Sequence, residues 1–179
     1  QSVLSGAAEA GTETEEVHLR DYRFRGCIGC ERCRKSGECT GLIDDMQLVY
    51  PRIREARGMV LVSPVYSYNV TALMKAFIDR LYPFYHFDSQ RPGPWHSRIG
   101  EQGRKAVLVA VGEQHSPEEG GMELTMEVLS RSMVALGFEV VSELPVFGIF
   151  ERGRVREYPE VLEQAREAGR HLALQLQDR

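Results

Sequence analysis

Two short, unbroken apolar runs constrain this chain more than anything else in it. Gly58-Met59-Val60-Leu61-Val62-Ser63 is one, and Lys105 to Val111, closed by Gly112, is the other. An apolar run of that length with no polar alternation reads as a strand covered on both faces, which is the environment of a parallel sheet. Helix-like patterns alternate with these runs. The chain therefore reads as an α/β protein: one parallel sheet with helices on both faces, three layers in all.

The remaining elements follow from local signals. Gln1 to Ala10 has helical character and stops at Gly11, a good C-cap residue. Glu15 to Leu19 is compatible with a short strand. A turn-rich stretch leads to Asp44 and Asp45, either of which can cap a helix starting near Met46. Pro51 is expected to kink or restart that helix, because it lacks the N–H a helix interior needs. A helix from about Thr71 to Tyr82 places Leu73, Phe77 and Leu81 at helical spacing. Residues 83–103 form an excursion rich in aromatics, proline and glycine. Met122 to Leu136 reads as a helix with Gly137 after it, Phe138 to Leu144 as a strand, and the tail 158–177 as an amphipathic helix with Pro159 in its first turn. No repeat or low-complexity linker divides residues 1–179, so they read as a single domain.

Composition narrows the function classes. The 179 residues carry a net charge of −4, and the basic residues are scattered, which argues against a nucleic-acid or anionic-membrane surface. No apolar run approaches the roughly 20 residues a bilayer span needs. Glu9 to Glu16 carries too much acid for a signal peptide, so the expected location is the cytoplasm. All four cysteines fall between Cys27 and Cys39, with spacing C-x2-C-x2-C-x5-C. A secreted scaffold would spread them to staple distant segments; this clustering reads as a ligand loop in a reducing compartment.

Three segments, taken in order, resemble the NADPH-dependent FMN reductase family and, within it, the iron–sulfur flavoprotein branch. The first is Cys27-Ile28-Gly29-Cys30-Glu31-Arg32-Cys33 with Gly37, Cys39 and Asp44-Asp45-Met46. The second is Ser63-Pro64-Val65-Tyr66-Ser67-Tyr68-Asn69, and the third is Leu73-Met74-Lys75-Ala76-Phe77-Ile78-Asp79-Arg80. The resemblance covers about the first half of the chain; the rest fits as a generic strand–helix–strand pattern. It implies a flavodoxin-like, doubly wound sheet of five parallel strands. That sheet has its first strand in the middle, followed by a loop that holds the FMN phosphate at a helix N-terminus. Neither has a counterpart here, so both are expected before Gln1, and the phosphate-binding residues are unassigned.

The resemblance implies an FMN site at Ser63, Pro64, Val65, Tyr66, Ser67, Tyr68 and Asn69, with Gly112 and the loop through His115 approaching from the other side. That loop lies at the carboxyl end of a buried strand, where open α/β sheets bind ligands. Its backbone N–H groups suit the flavin's oxygens and ring nitrogens, and its tyrosines suit an apolar edge. No side chain stands out as catalytic, since the cofactor itself accepts hydride. Cys27, Cys30, Cys33 and Cys39 resemble the compact motif that holds a [4Fe–4S] cluster, with Gly29 and Gly37 permitting tight turns and Arg32, Arg34 and Lys35 offsetting negative charge. Free or oxidised thiols and a zinc site are the alternatives.

The implied function is an FMN-dependent oxidoreductase passing electrons between FMN and the cluster, with NAD(P)H or ferredoxin as donor and a small-molecule or protein acceptor. A cluster-free NAD(P)H-dependent FMN or quinone reductase is the runner-up. A flavodoxin-type electron carrier is the alternative of another class, against which the modest acidity weighs. The chain shows no nicotinamide fingerprint, so that donor rests on the resemblance. The resemblance also implies a homodimer or homotetramer. Lys75 and Asp79 read as a structural i,i+4 pair.

Overall fold

The computed structural model describes residues 1–89 and 92–177. Gln90 and Arg91, inside the aromatic-rich excursion, and Asp178 and Arg179 lie outside the described residues. The helices are α1 (Ser2–Glu9), α2 (Cys33–Ser36), α3 (Met46–Glu55), α4 (Ala72–Asp79), α5 (Met122–Ala135) and α6 (Pro159–Gln177). The strands are β1 (Gly58–Pro64), β2 (Tyr85–Phe87), β3 (Trp95–Ser97), β4 (Lys105–Val111) and β5 (Glu139–Val146).

β1, β4 and β5 form a parallel sheet in the order β1-β4-β5. The middle strand explains its own sequence: Ala106 to Ala110 are all buried, on both faces. Leu61, Ala106, Leu108 and Ala110 face one layer, built from Met46, Val49 and Ile53 of α3, Met74 and Phe77 of α4, and Met126, Leu129 and Met133 of α5. Val107, Val109 and Val146 face the other, where Val3 of α1 packs with Ala168 and Leu172 of α6. The three-layer α/β reading is therefore what forms.

Two expectations about strands change. Among the described residues the parallel sheet has three strands, so the count of five is not reached. Glu15 to Leu19 forms no ladder, and Leu19–Asp21 is a 3-10 turn instead. A short strand needs a neighbour to hold it, and among the described residues the outer edge of β1 has no paired strand.

Pro51, expected to kink or restart α3, does not restart it: the helix runs through the proline. Pro51 is exposed, so the Gln47 carbonyl left without its partner opens to water, while Met46, Val49, Tyr50 and Ile53 anchor the inner face. The far end is held by Arg104, a buried cation that donates to the carbonyls of Ile53 (2.8 Å), Arg54 (2.5 Å) and Ala56. A cation there also opposes the negative end of the helix dipole.

The excursion folds into an antiparallel hairpin, β2 with β3, in register Tyr85↔Ser97, His86↔His96 and Phe87↔Trp95. Tyr82 stacks on Phe87, and Tyr85 meets Trp95 edge-on. No helix among the described residues is long and apolar enough to cross a membrane.

Candidate functional site

Pro64 and Val111 end β1 and β4 side by side, so the loops that follow them leave the same edge of the sheet. The first is shaped by a tight turn. Tyr66 and Asn69 exchange backbone hydrogen bonds at 2.8 and 3.0 Å. Between them, Ser67 (φ 48°) and Tyr68 (φ 66°) both lie in the left-handed region. Two consecutive positive φ values are the signature of a type I′ turn, normally made by asparagine and glycine. Side chains there cost free energy, and such outliers concentrate at ligand sites. The turn packs on Gly121, just before α5: a Cβ at Gly121 would stand 3.0 Å from the Tyr68 Cα.

The eight expected cofactor residues divide by what the fold already asks of them. Ser63 is buried, and its hydroxyl accepts from the Thr71 N–H (3.2 Å) and donates to the Pro64 carbonyl (3.0 Å), which steadies the start of α4. The Val65 N–H extends the ladder to the Val111 carbonyl, and Asn69 Oδ1 accepts from the Val70 N–H. The Gly112 N–H bonds the Val146 carbonyl. What remains outward is the tip: Tyr66 and Tyr68, 63% and 62% exposed, and the Ser67 and Tyr68 N–H groups, which have no partner among the described residues. Gln114 belongs to the loop through His115 that the sequence reading brought to this edge, without a role of its own. Its Oε1 is buried at this edge without a hydrogen-bond partner among the described residues, beside Gly112, where a Cβ would collide with it. An orphaned acceptor, two free donors and two exposed aromatic rings fit a flat heterocycle.

Cys27, Cys30, Cys33 and Cys39 border one cavity of about 220 Å³ at the other end of α4, together with Tyr50, Asp79, Arg80 and Tyr82. The eight residues of α4 separate that cavity from the Tyr66–Asn69 turn by ~12 Å of helix. Cys27 and Cys30 are exposed, Cys33 is buried and Cys39 half-buried, and none forms a disulfide. Burial, followed by the neighbouring Cys39 thiol, pushes the Cys33 thiol up. Gly29 and Glu31 take positive φ values (65° and 55°), which folds the loop back on itself. A side chain at Gly41 would collide with the Cys30 sulfur, so the glycine leaves room for that thiol. Gln47 of α3 donates to the Cys39 carbonyl (2.9 Å) and Arg54 to the Gly37 carbonyl (3.2 Å), which tie the loop to the core.

Among the described residues, the cation that reaches a cysteine sulfur is not one of the expected loop residues. Arg34 instead lies 4.3 Å over the Phe87 ring and anchors α2 to the hairpin. Arg80 is the residue in question, 1% exposed. Its Nε donates to the Tyr50 hydroxyl (3.2 Å) and Nη1 to the Arg25 carbonyl (2.8 Å) and Asp44 Oδ2 (2.7 Å). Its Nη2 donates to Asp44 Oδ1 (3.0 Å) and Cys39 Sγ (3.6 Å). Asp44 also accepts from the N–H groups of Arg25 and Met46. The sequence offered Asp44 as a helix cap and as part of the first resembling segment, with no partner for its carboxylate. Arg80 was named in the third resembling segment; the signal for its burial is its position three residues after Phe77, at the C-cap of α4. The Lys75–Asp79 pair stays on the surface, at 2.6 Å.

Burial works to raise the Asp44 carboxyl, but the hydrogen bonds from Arg80 and the Arg25 N–H prevail and hold it below the usual carboxylate range. The sign follows. Its contribution to stability is fully present above the unfolded value of about 3.9 and is lost as pH falls through the lower folded value. Urea unfolding between pH 7 and pH 2 is expected to show an acid loss that Asp44→Asn flattens; an unchanged slope would mean that other carboxyls carry it.

A family profile described as NADPH-dependent FMN reductase matches residues 1–146. The chain belongs to that family. An iron-sulfur flavoprotein of Methanocaldococcus jannaschii is 35% identical over 144 residues, covering 76% of this chain and 66% of the relative. One from Archaeoglobus fulgidus is 34% identical over 140 residues, covering 78% and 58%. The match thus spans less than two thirds of each of these relatives. Among solved structures, an NAD(P)H:quinone oxidoreductase from Methanothermobacter marburgensis superimposes with a TM-score of 0.70 at 23% identity, over 96% of this chain and 85% of that one. A flavone reductase reaches 0.72 at 18%, over 99% and 57%. At those identities the structural likeness speaks to fold, and it is the flavodoxin-like fold of this reductase family.

Proposed function

We propose that this chain is the FMN-binding domain of an iron–sulfur flavoprotein, an FMN-dependent oxidoreductase that also carries a [4Fe–4S] cluster. One observation carries the reading: four thiols from a compact loop border a single cavity beside a buried, fully hydrogen-bonded guanidinium. Relatives named iron-sulfur flavoproteins support it. Cys27, Cys30, Cys33 and Cys39 would hold the cluster. The turn Pro64 to Asn69, with Gly112 and Gln114, would hold the isoalloxazine ring, the exposed tyrosines shielding it from water. The flavin supplies hydride and electron chemistry, and the cluster supplies single-electron chemistry. Zinc is the poorer fit. Among the described residues no three His, Cys, Asp or Glu side chains converge as ligands of a single ion, whereas thiols spread around a cavity suit a larger group.

NAD(P)H or a reduced ferredoxin is the donor class in this reading, and a quinone or a protein metal centre the acceptor. A cytoplasmic location agrees with exposed Cys27 and Cys30 standing as free thiols. A homodimer or homotetramer follows from family resemblance. The exposure of those two thiols also favours the second reading, a cluster-free NAD(P)H-dependent FMN or quinone reductase. Anaerobic purification of the full-length protein, with flavin, iron and sulfide counts, separates the two. About four irons per chain alongside FMN is the expected result. FMN without iron leaves the second reading, and neither cofactor overturns both.

A further inference from the structure

We propose that Arg80 is a positioning residue for the cluster, fixing Cys39 and raising the cluster's reduction potential through an N–H···S hydrogen bond. The inference rests on the proposed cluster and goes beyond it, to a residue outside the cysteine loop. A guanidinium carries five N–H donors in a rigid plane. Here each has an acceptor: the Tyr50 hydroxyl, the Arg25 carbonyl, the two Asp44 oxygens and the Cys39 sulfur. Four of these contacts are to groups held by other elements, which leaves the plane no freedom to turn. Tyr50 is fixed in turn, its hydroxyl donating to the Arg80 carbonyl at 3.0 Å. The fifth donor is therefore aimed at Cys39 Sγ by the whole network.

A hydrogen bond to a ligating sulfur withdraws electron density from it, so the reduced, more negative cluster gains more than the oxidised one. Such bonds are among the factors that set iron–sulfur potentials. Asp44 neutralises the guanidinium, so what reaches the sulfur is a directed N–H dipole. Cys39 is also the thiol that stands alone in sequence, after the five-residue gap, with the least help from the loop in reaching the others. Lysine cannot replace arginine at this position. Its three donors cannot satisfy five acceptors held in one plane.

The test compares wild type with Arg80→Lys in the full-length protein, purified and reconstituted anaerobically, by iron count and by redox titration of the cluster followed by electron paramagnetic resonance. Arg80→Lys is expected to shift the midpoint to more negative potential, or to lower the iron per chain while FMN content and circular dichroism stay at wild-type levels. If Arg80→Lys does not fold, Arg80→Gln combined with Asp44→Asn removes both charges together and gives the same two readouts. Equal iron and an equal midpoint in a folded variant overturn the role of Arg80 and leave the cluster reading intact. A wild-type protein with FMN and no iron overturns both.

Discussion

Arg80→Met is expected to cost the fold about 3–5 kcal/mol, because it removes the partner of a nearly buried carboxylate rather than a surface contact. Arg80 is 1% and Asp44 10% exposed at the side chain, and their paired hydrogen bonds are 2.7 and 3.0 Å. With the cation gone, Asp44 is left facing an apolar side chain, the Arg25 carbonyl loses its donor, and the Tyr50 hydroxyl loses another. Each unsatisfied group adds to the loss. The comparison that isolates the mechanism is Arg80→Met combined with Asp44→Leu. Removing both ions relieves the lone buried charge, so the double variant is expected to recover much of what Arg80→Met loses. Urea unfolding of the single and double variants measures this as a double-mutant cycle. A double variant that loses the sum of the two single losses would show that the pair does not act as a unit.

Gly169→Ala reverses an ordinary rule. Alanine in a helix interior is normally about 1 kcal/mol better than glycine, yet here the substitution is expected to destabilise by roughly 1–3 kcal/mol. Gly169 of α6 faces the Val3 carbonyl and the Ala7 N–H of α1, and an added methyl would overlap that backbone. Gly6 of α1 meets the Arg166 carbonyl of α6 in the same way. The two helices thus touch backbone to backbone, and neither can yield as a side chain would. Gly26→Ala supplies the control, since nothing lies within 4 Å of a Cβ there and its φ is not positive. Thermal unfolding should place Gly169→Ala well below wild type and Gly26→Ala beside it. A Gly169→Ala variant at or above the wild-type midpoint would mean that the helices are spaced more widely than this packing requires.

Much of the fold was legible because its signals are local. β4 could be read from Lys105 to Val111, since a strand buried on both faces has no polar alternation to hide it. The end of α1 before Gly11 and that of α5 before Gly137 could be read from glycines that adopt positive φ. Glu15 to Leu19 was misread for the opposite reason. A strand's existence depends on a neighbour, which no pattern within the segment records. The cysteine spacing and the loop from Ser63 to Asn69 at the end of β1 were equally visible in the sequence, because each is a short run of neighbouring residues. Tyr50 and Gly41 escaped notice, because their importance lies in what touches them.

The sequence by itself therefore determined the α/β layering and the ends of several helices, and it marked two loops as candidates for the site, because each depends on residues close together in the chain. Only the tertiary structure decided that Arg80, the Asp44 carboxylate, Tyr50 and Cys39 form one hydrogen-bonded unit, although they lie as many as 41 positions apart. A buried charge is tolerated only where partners from several elements converge on it, and convergence is a property of packing, not of spacing.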